Sequence, residues 1–314
     1  MSRATLPFAK MNGLGNDFLV FDARVEPVVL SAEEILRLAD RKTGIGFDQM
    51  ITLERSEAGA DVFMRIHNAD SSEVSACGNA SRCIGWVVMK EKGAKTATIE
   101  TRTGLLFASE TDEPDLITVD MGEPRFDWRD IPLAEEFRDT RAIELQVGPI
   151  DAPVLHSPSA VNMGNPHAIF WVDDVDAHDL ARIGPMLEHH PIFPERANIS
   201  LAQVTGPESL ILRVWERGAG LTIACGTAAC AAAVAAARTK RTGRRVRVTL
   251  PGGDLLIHWR ESDGHVMMTG PVATDYTGTI DRATLTVRRD GPDRSIAGLG
   301  ATLADAFAAP GDGR

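Results

Sequence analysis

Cys77 and Cys225 occupy matching settings, Ala76-Cys77-Gly78-Asn79-Ala80-Ser81 and Ala224-Cys225-Gly226-Thr227-Ala228-Ala229, 148 residues apart. Each cysteine opens a segment that reads as a helix. The first is expected from about Gly78 to Lys92 with a stop at Gly93, the second from about Gly226 to Arg241 with a stop at Gly243. Basic residues in the last turn and a glycine just after it mark a helix C-terminus. A thiol at a helix start has its thiolate stabilised by the dipole and by unpartnered backbone N–H groups, and the same N–H groups suit a carboxylate. The glycine after each cysteine removes the side chain that would block a ligand's approach. Two such starts facing each other would hold one carboxylate and set a sulfur on either side of its α-carbon. Inversion of a stereocentre needs that pairing, a base on one face and an acid on the other.

The polar residues that would complete such a site repeat with the cysteines. Asn16 precedes Cys77 by 61 residues, and Asn165 precedes Cys225 by 60. Gln49 and Asn198 precede their cysteines by 28 and 27, and Asn68 and Glu216 each by nine. Four polar positions in one order, with spacings within one residue, indicate a duplicated half. The elements carrying them alternate β-branched runs with helical stretches. Strands are predicted over 62–67, 96–101, 116–121, 168–172, 210–215, 245–250, 255–259 and 266–269, and a helix over 33–40 with Ser31 as N-cap. The expected class is mixed α/β with much antiparallel sheet. A Rossmann fold is disfavoured, because no glycine fingerprint links a strand to a helix. Residues 123–132, rich in Pro and Asp, read as the crossing between halves.

Composition narrows the function classes. With 314 residues, 44% hydrophobic and 25% charged, the chain is an ordinary globular one with room for two domains. A net charge of −11 argues against a nucleic-acid partner, and the basic run 238–247 reads as a solvated helix end and strand. The start carries no apolar leader and the stretch 228–237 is too short to span a bilayer, so a cytoplasmic protein without a membrane partner is expected. Four cysteines are too few for a disulfide scaffold. Cys83 and Cys230 fall on other helix faces and read as buried hydrophobes. Their spacing argues against a four-thiolate zinc site, so no metal is expected. A pyridoxal-phosphate enzyme would need a Schiff-base lysine, and no lysine lies in a duplicated motif, so no cofactor is expected. A single-thiol hydrolase pairing one cysteine with His67 or His167 is a rival, but it leaves the second cysteine unexplained. A non-catalytic binding protein would tolerate serine at both.

Eight segments together resemble the diaminopimelate epimerase family: residues 11–18 (Met-Asn-Gly-Leu-Gly-Asn-Asp-Phe), 44–49 (Gly-Ile-Gly-Phe-Asp-Gln), 68–70, 77–79, 163–167 (Met-Gly-Asn-Pro-His), 194–198 (Pro-Glu-Arg-Ala-Asn), 216–220 (Glu-Arg-Gly-Ala-Gly) and 224–227. The resemblance covers about residue 7 to about 280. It implies two pseudo-symmetric α/β domains, each a largely antiparallel sheet wrapped around a central helix, with the active site in the cleft between them. The expected division is 1–121 with about 272–282, then 122–271, leaving 283–314 as a flexible tail. It implies cofactor-independent conversion of LL-2,6-diaminopimelate to the meso isomer in lysine and peptidoglycan-precursor biosynthesis. Cys77 and Cys225 would act as a thiol/thiolate pair, and Gly78, Asn79, Gly226 and Thr227 would hold the reacting carboxylate. Asn16, Gln49, Asn68, Asn165, Asn198, Glu216 and Arg217 would bind the rest of the substrate, with His167 and Glu216 supporting activity. Tyr276 matches a position associated with a homodimer. Ala80, Ser81, Ala228, Leu221 and Ile223 depart from the commonest family pattern, with expected effects on helix packing or the outer cleft.

Overall fold

A computed structural model describes residues 5–74, 77–113 and 115–290 of the chain. They fall into two compact units, one taking in the chain up to Val119 and from Gly270 onward, the other Asp120–Thr269. The first contains β1 (Thr5–Gly13), β2 (Asn16–Asp22), α1 (Ala32–Ala39), β3 (Gln49–Glu54), β4 (Val62–Asn68), β5 (Glu73–Val74), α2 (Gly78–Lys92), β6 (Thr96–Thr101), β7 (Gly104–Glu110) and most of β8 (Leu116–Asp120). The second contains β9 (Gln146–Val147), β10 (Leu155–His156), β11 (Ser159–Asn162), β12 (Pro166–Trp171), α3 (Leu180–Glu188), β13 (Asn198–Gly206), β14 (Ser209–Glu216), β15 (Gly220–Thr222), α4 (Gly226–Arg238), β16 (Arg245–Leu250), β17 (Gly253–Trp259) and most of β18 (Val266–Pro271). The chain then returns to the first unit with β19 (Ala273–Asp281) and β20 (Val287–Arg289). The class is mixed α/β, mostly sheet with few helices.

The two units repeat one another rung by rung. In the first, β2 and β3 run parallel with Phe18 opposite Gln49; in the second, β12 and β13 run parallel with His167 opposite Asn198. Ile66 pairs with Val74 as Val214 pairs with Thr222. Val62 lies opposite Ile99 in a parallel pair as Leu210 lies opposite Val248. Ile99 meets Leu106 as Val248 meets Leu255. Each of these pairs maps onto the other at the 148- or 149-residue offset seen between the cysteines. The parallel rungs join residues across long crossovers, and antiparallel hairpins supply the rest.

Both cysteine-bearing helices sit against their own unit's strands. α4 touches β11, β12, β13, β14, β16 and β17. Its buried residues are Gly226, Cys230, Val234 and seven alanines. Alanine has the highest helix propensity and the smallest side chain that still buries a methyl, so strands can close on it from several directions. α2 touches β1, β6 and β7 and ends where the sequence places its stop, at Gly93 with φ 60°. α4 ends earlier than predicted, at Arg238 with Thr239 as its C-cap, because Lys240 takes the left-handed conformation (φ 58°) in place of a glycine. Ser31 caps α1 in a full capping box with Glu34, as expected from its position.

The stretch from 283 departs from the expected flexible tail over its first residues. Val287–Arg289 folds back and pairs with β19, Leu285 and Val287 join the apolar cluster around Phe8 and Phe21, and Arg289 lies 4.3 Å over the Tyr276 ring. The alternation Thr284-Leu285-Thr286-Val287-Arg288 is the strand signal here, with Leu285 and Val287 on the packed face. Residues 291–314 lie outside the described residues.

Candidate active site

The half-site of the first unit is built on the ends of β2, β3 and β4 and the start of α2. Cys77 is the N-cap of α2, with extended backbone (φ −148°, ψ 112°), and Gly78 and Asn79 are the first two helical residues. The Cys77 thiol faces Asn16 Oδ1 at 3.8 Å. Gln49 lies directly opposite Asn68, and its Nε2 donates to Asn68 Oδ1 at 3.1 Å. Asn16, Gln49, Asn68, Cys77, Gly78 and Asn79 are thus gathered at one end of this sheet. The buried Gln49 Oε1 and Asn79 Oδ1 have no protein partner among the described residues. A buried amide oxygen without a partner is costly unless a ligand or water completes it. A side chain on Gly13 would come within 3.1 Å of the Asn79 carbonyl, so glycine there lets the β1–β2 hairpin approach the first turn of α2 closely.

A charged cluster fixes Asn16. Asp48 accepts from Asn16 Nδ2 at 2.9 Å and from the Asp17 amide at 3.0 Å, while Asp17 takes Arg41 at 2.9 Å and the buried Lys10. With its amide nitrogen tied to Asp48, Asn16 turns its oxygen to the thiol. Although burial alone would raise the Asp17 carboxyl, its hydrogen bonds to Arg41, Lys10 and Asp48 and the Lys10 charge outweigh it and hold it at about 2, below the ordinary 3.8. A depressed carboxyl pKa gives stability that is full above about pH 4 and is lost as pH falls through 2. Urea unfolding at stepped pH should follow that course. Asp17→Asn should flatten part of it and cost about 3 kcal/mol, because Lys10 is left buried without its partner.

The second unit's half-site has the same plan and different chemistry. Cys225 is the N-cap of α4 (φ −135°, ψ 108°) and is buried, with Thr227 Oγ1 3.6 Å from its sulfur. Where the first unit aligns Phe18, Gln49 and Asn68, this one sets His167 opposite Asn198 across β12 and β13, with Glu216 ending β14 one residue beyond the Ile199–Trp215 pair. Burial lifts the Glu216 carboxyl above its usual range, opposed by the nearby Thr222 hydroxyl and Cys225 thiol. Burial and the Glu216 charge push the Cys225 thiol well above the ordinary range, outweighing the Thr227 hydroxyl and the Ala228 amide. His167 is buried, and desolvation followed by the Arg217 charge pushes it down to about 3, so its ring is neutral near pH 7. Its Nε2 lies 2.7 Å from Asn165 Oδ1. An oxygen there accepts a hydrogen bond from Nε2–H and leaves Nδ1 as a bare lone pair, buried and without a protein partner among the described residues. Asn198 Oδ1 accepts from the Arg217 amide at 2.8 Å, and the Arg217 guanidinium donates to the Glu195 carbonyl at 2.9 Å.

All the predicted polar residues except Tyr276 therefore fall into one or other half-site. Tyr276 packs edge-on against Phe8 at 6.0 Å and under Arg289, in contacts with β1 and β20. Ala80, Ser81 and Ala228 are buried in the helices, with Ser81 Oγ donating to the Cys77 carbonyl at 2.9 Å. Leu221 and Ile223 are half exposed, at 52% and 51%. Cys83 is fully buried, and desolvation pushes its thiol up to about 12, which suits an inert role. Among the described residues no group of His, Cys, Asp or Glu is disposed to hold a metal ion, and no helix is long and apolar enough to cross a membrane.

Sequence reasoning missed Glu188, the last residue of α3. Its two carboxyl oxygens accept from Trp215 Nε1 at 2.7 Å and from the Gly218 amide at 3.0 Å. One turn earlier, Gly184 lies so close to the indole that a Cβ would sit 2.5 Å from it. Helix α3 thereby clamps the strand end and turn that carry Glu216 and Arg217. No motif announces it, and Gly184-Pro185 reads as a helix break. Glu188→Gln keeps one acceptor and loses the other, so it should cost about 1–3 kcal/mol in urea unfolding.

The fold occurs in solved structures of low sequence identity. A PhzF-family phenazine biosynthesis protein from Bacillus anthracis has a TM-score of 0.60 at 17% identity, over 88% of this chain and 99% of that one. A hydroxyproline epimerase from Agrobacterium vitis has a TM-score of 0.60 at 13% identity, over 96% and 99%. On that fold, each of the two repeats sets one cysteine at the N-cap position of a helix. The diaminopimelate epimerase family model matches residues 8–127 and 159–274. The chain belongs to the diaminopimelate epimerase family and is an isomerase. Diaminopimelate epimerases of Afipia carboxidovorans and Brucella anthropi are each 60% identical to it, over 275 and 286 residues. The matches cover 87% and 90% of this chain and 94% of each relative.

Proposed function

We propose that the protein converts LL-2,6-diaminopimelate to its meso isomer by a two-base mechanism in which Cys77 and Cys225 address opposite faces of one α-carbon. The observation that carries this reading is the repeat itself: each unit sets one cysteine at the N-cap position of its helix, α2 or α4, and gathers polar side chains beside it. Active-site closure would bring both helix starts onto the substrate, where their amides stabilise the carboxylate as negative charge develops on the deprotonated carbon. The neutral His167, with a lone pair at Nδ1, and the Glu216 carboxylate suit the α-ammonium. Asn165, Asn198 and Arg217 suit the carboxylate and ammonium of the distal end. The Cys77 sulfur faces Asn16 Oδ1, while burial and the Glu216 charge hold Cys225 as a thiol. One proton must leave before the pair can act, and the two thiols titrate as a coupled system.

Incubation with LL-diaminopimelate in deuterated water tests the reading. The expected result is meso product labelled at the inverted carbon. Turnover without solvent label at that carbon overturns the two-base mechanism. A cytoplasmic location, the placing of the two halves about a cleft and a homodimer involving Tyr276 belong to the same proposal. Sedimentation of the wild type beside Tyr276→Ala checks the last.

A further inference from the structure

We propose that the second unit carries a binding site for a small polyanion, at the opposite end of α4 from Cys225. A cavity of about 690 Å³ lies there, between the last turn of α4, the ends of β12 and β13, and the segment around Arg141 and His156. Arg238, Thr239, Lys240 and Arg241 form one wall, and Trp171, Val172, Ala202 and Val204 form a largely apolar one. The volume suits a small organic molecule.

The duplicated half supplies an internal control for the charge. At the 148-residue offset, Arg238 and Lys240 correspond to Lys90 and Lys92 at the end of α2. There the lysines are neutralised: Lys90 binds Glu110 at 3.0 Å, and Lys92 binds Asp61. Between them Glu91 takes Arg24 at 2.8 Å, which also binds Asp22. In the second unit every one of these carboxylates has been replaced. Trp259 stands for Glu110, Ser209 for Asp61, Thr239 for Glu91 and Trp171 for Asp22, and only Asp173 among the cavity residues is acidic. The cations were kept. Among the described residues none of Arg238, Lys240 and Arg241 has a carboxylate within ion-pair distance; Arg238 donates to Thr140 Oγ1 at 3.3 Å and feels the charge of Asp139, which is itself held by Arg141 at 2.7 Å.

Arg238 lies 3.9 Å over the Phe126 ring and Arg241 4.7 Å over Trp171, so aromatic faces hold the guanidiniums in place of carboxylates. Three like charges held around a cavity repel one another, and the helix end explains one or two of them, not a pocket around all three. A ligand with two or more negative charges relieves that repulsion. Phosphoryl and polycarboxylate groups share this chemistry, and guanidiniums bind both as bidentate donors.

Calorimetric titration of the full chain with inorganic pyrophosphate, and separately with citrate, at constant ionic strength tests the site. The expected result is one saturable site. Lys240→Gln with Arg241→Gln, both exposed positions, should weaken it by about 100-fold, tenfold for each lost charge-assisted contact. Lys90→Gln with Lys92→Gln removes the same charge from the first unit and should leave affinity within about twofold, since distant surface charge is screened. Pyrophosphate binding alone assigns a phosphoryl ligand, and citrate binding alone a polycarboxylate. Absence of saturable binding by both, or equal weakening by the two double variants, overturns the proposal. Neither result depends on the epimerase reading.

Discussion

Cys77→Ala and Cys225→Ala should each lower inversion of diaminopimelate by about 10³-fold or more, within the range expected for losing a general acid or base. Each should still exchange the α-hydrogen of one stereoisomer with solvent. The reason lies in the geometry of two single-proton groups. The thiolate left on one face can remove the proton presented to it, trade it with water and return a deuteron to the same face. Without a sulfur opposite, nothing delivers a proton to the other face, so configuration is retained. The two variants should then divide the stereoisomers between them, one exchanging the LL form and the other the meso form at its D-centre. Proton NMR in deuterated water, combined with chromatographic separation of the isomers, reads both quantities. Undiminished inversion in either variant removes that cysteine from the mechanism.

Glu216→Gln should lower kcat by about 10²-fold and move the alkaline limb of the pH profile to lower pH. The sign follows from the second half-site. Burial is the first cause that raises the Cys225 thiol's pKa, and the nearby Glu216 carboxylate, through its charge and its hydrogen-bonding interaction with the thiol, supplies the rest. A neutral amide removes the charge and keeps the shape, so Cys225 ionises at lower pH. The enzyme then loses its protonated partner, the acid, at a lower pH. Iodoacetamide labelling followed by peptide mass spectrometry gives an independent reading. In the wild type Cys77, which is less buried, should be alkylated before Cys225, and Glu216→Gln should narrow the gap. An alkaline limb unmoved by the substitution would separate Glu216 from the titration of Cys225.

Much of the site was legible because duplication writes it twice. Two Ala-Cys-Gly sequences with amides at matching distances identify positions that no single motif would secure, and the ladders reproduce that offset rung by rung. What stayed hidden depends on contacts between residues distant in sequence. Asp48 stands inside a recognised motif, yet its task of turning Asn16 toward the thiol is a matter of three dimensions. Glu188 has no local signal at all, because its partners Trp215 and Gly218 lie on another element. α3 was obscured by Pro185, whose missing N–H the short helix tolerates in its interior, against the usual rule. Strand ends were easier, since alternation reports burial of one face directly. The basic run 238–247 shows the opposite failing. Read alone it is a solvated helix end, and only comparison with the paired lysines of α2 makes its empty partners visible.

The pairing of β1 with β19 sets Thr5 opposite Asp281, so the first unit is assembled from the two ends of the fold. The intervening unit is continuous in sequence. During synthesis the half bearing Cys225 can close as soon as its own strands have left the ribosome. The half bearing Cys77 emerges first and must wait with an open sheet edge until β19 arrives. Cys77, the earlier-made of the two thiols, is therefore the last to gain a finished scaffold, and a chain that had emerged only as far as residue 272 would hold one complete repeat and one unfinished.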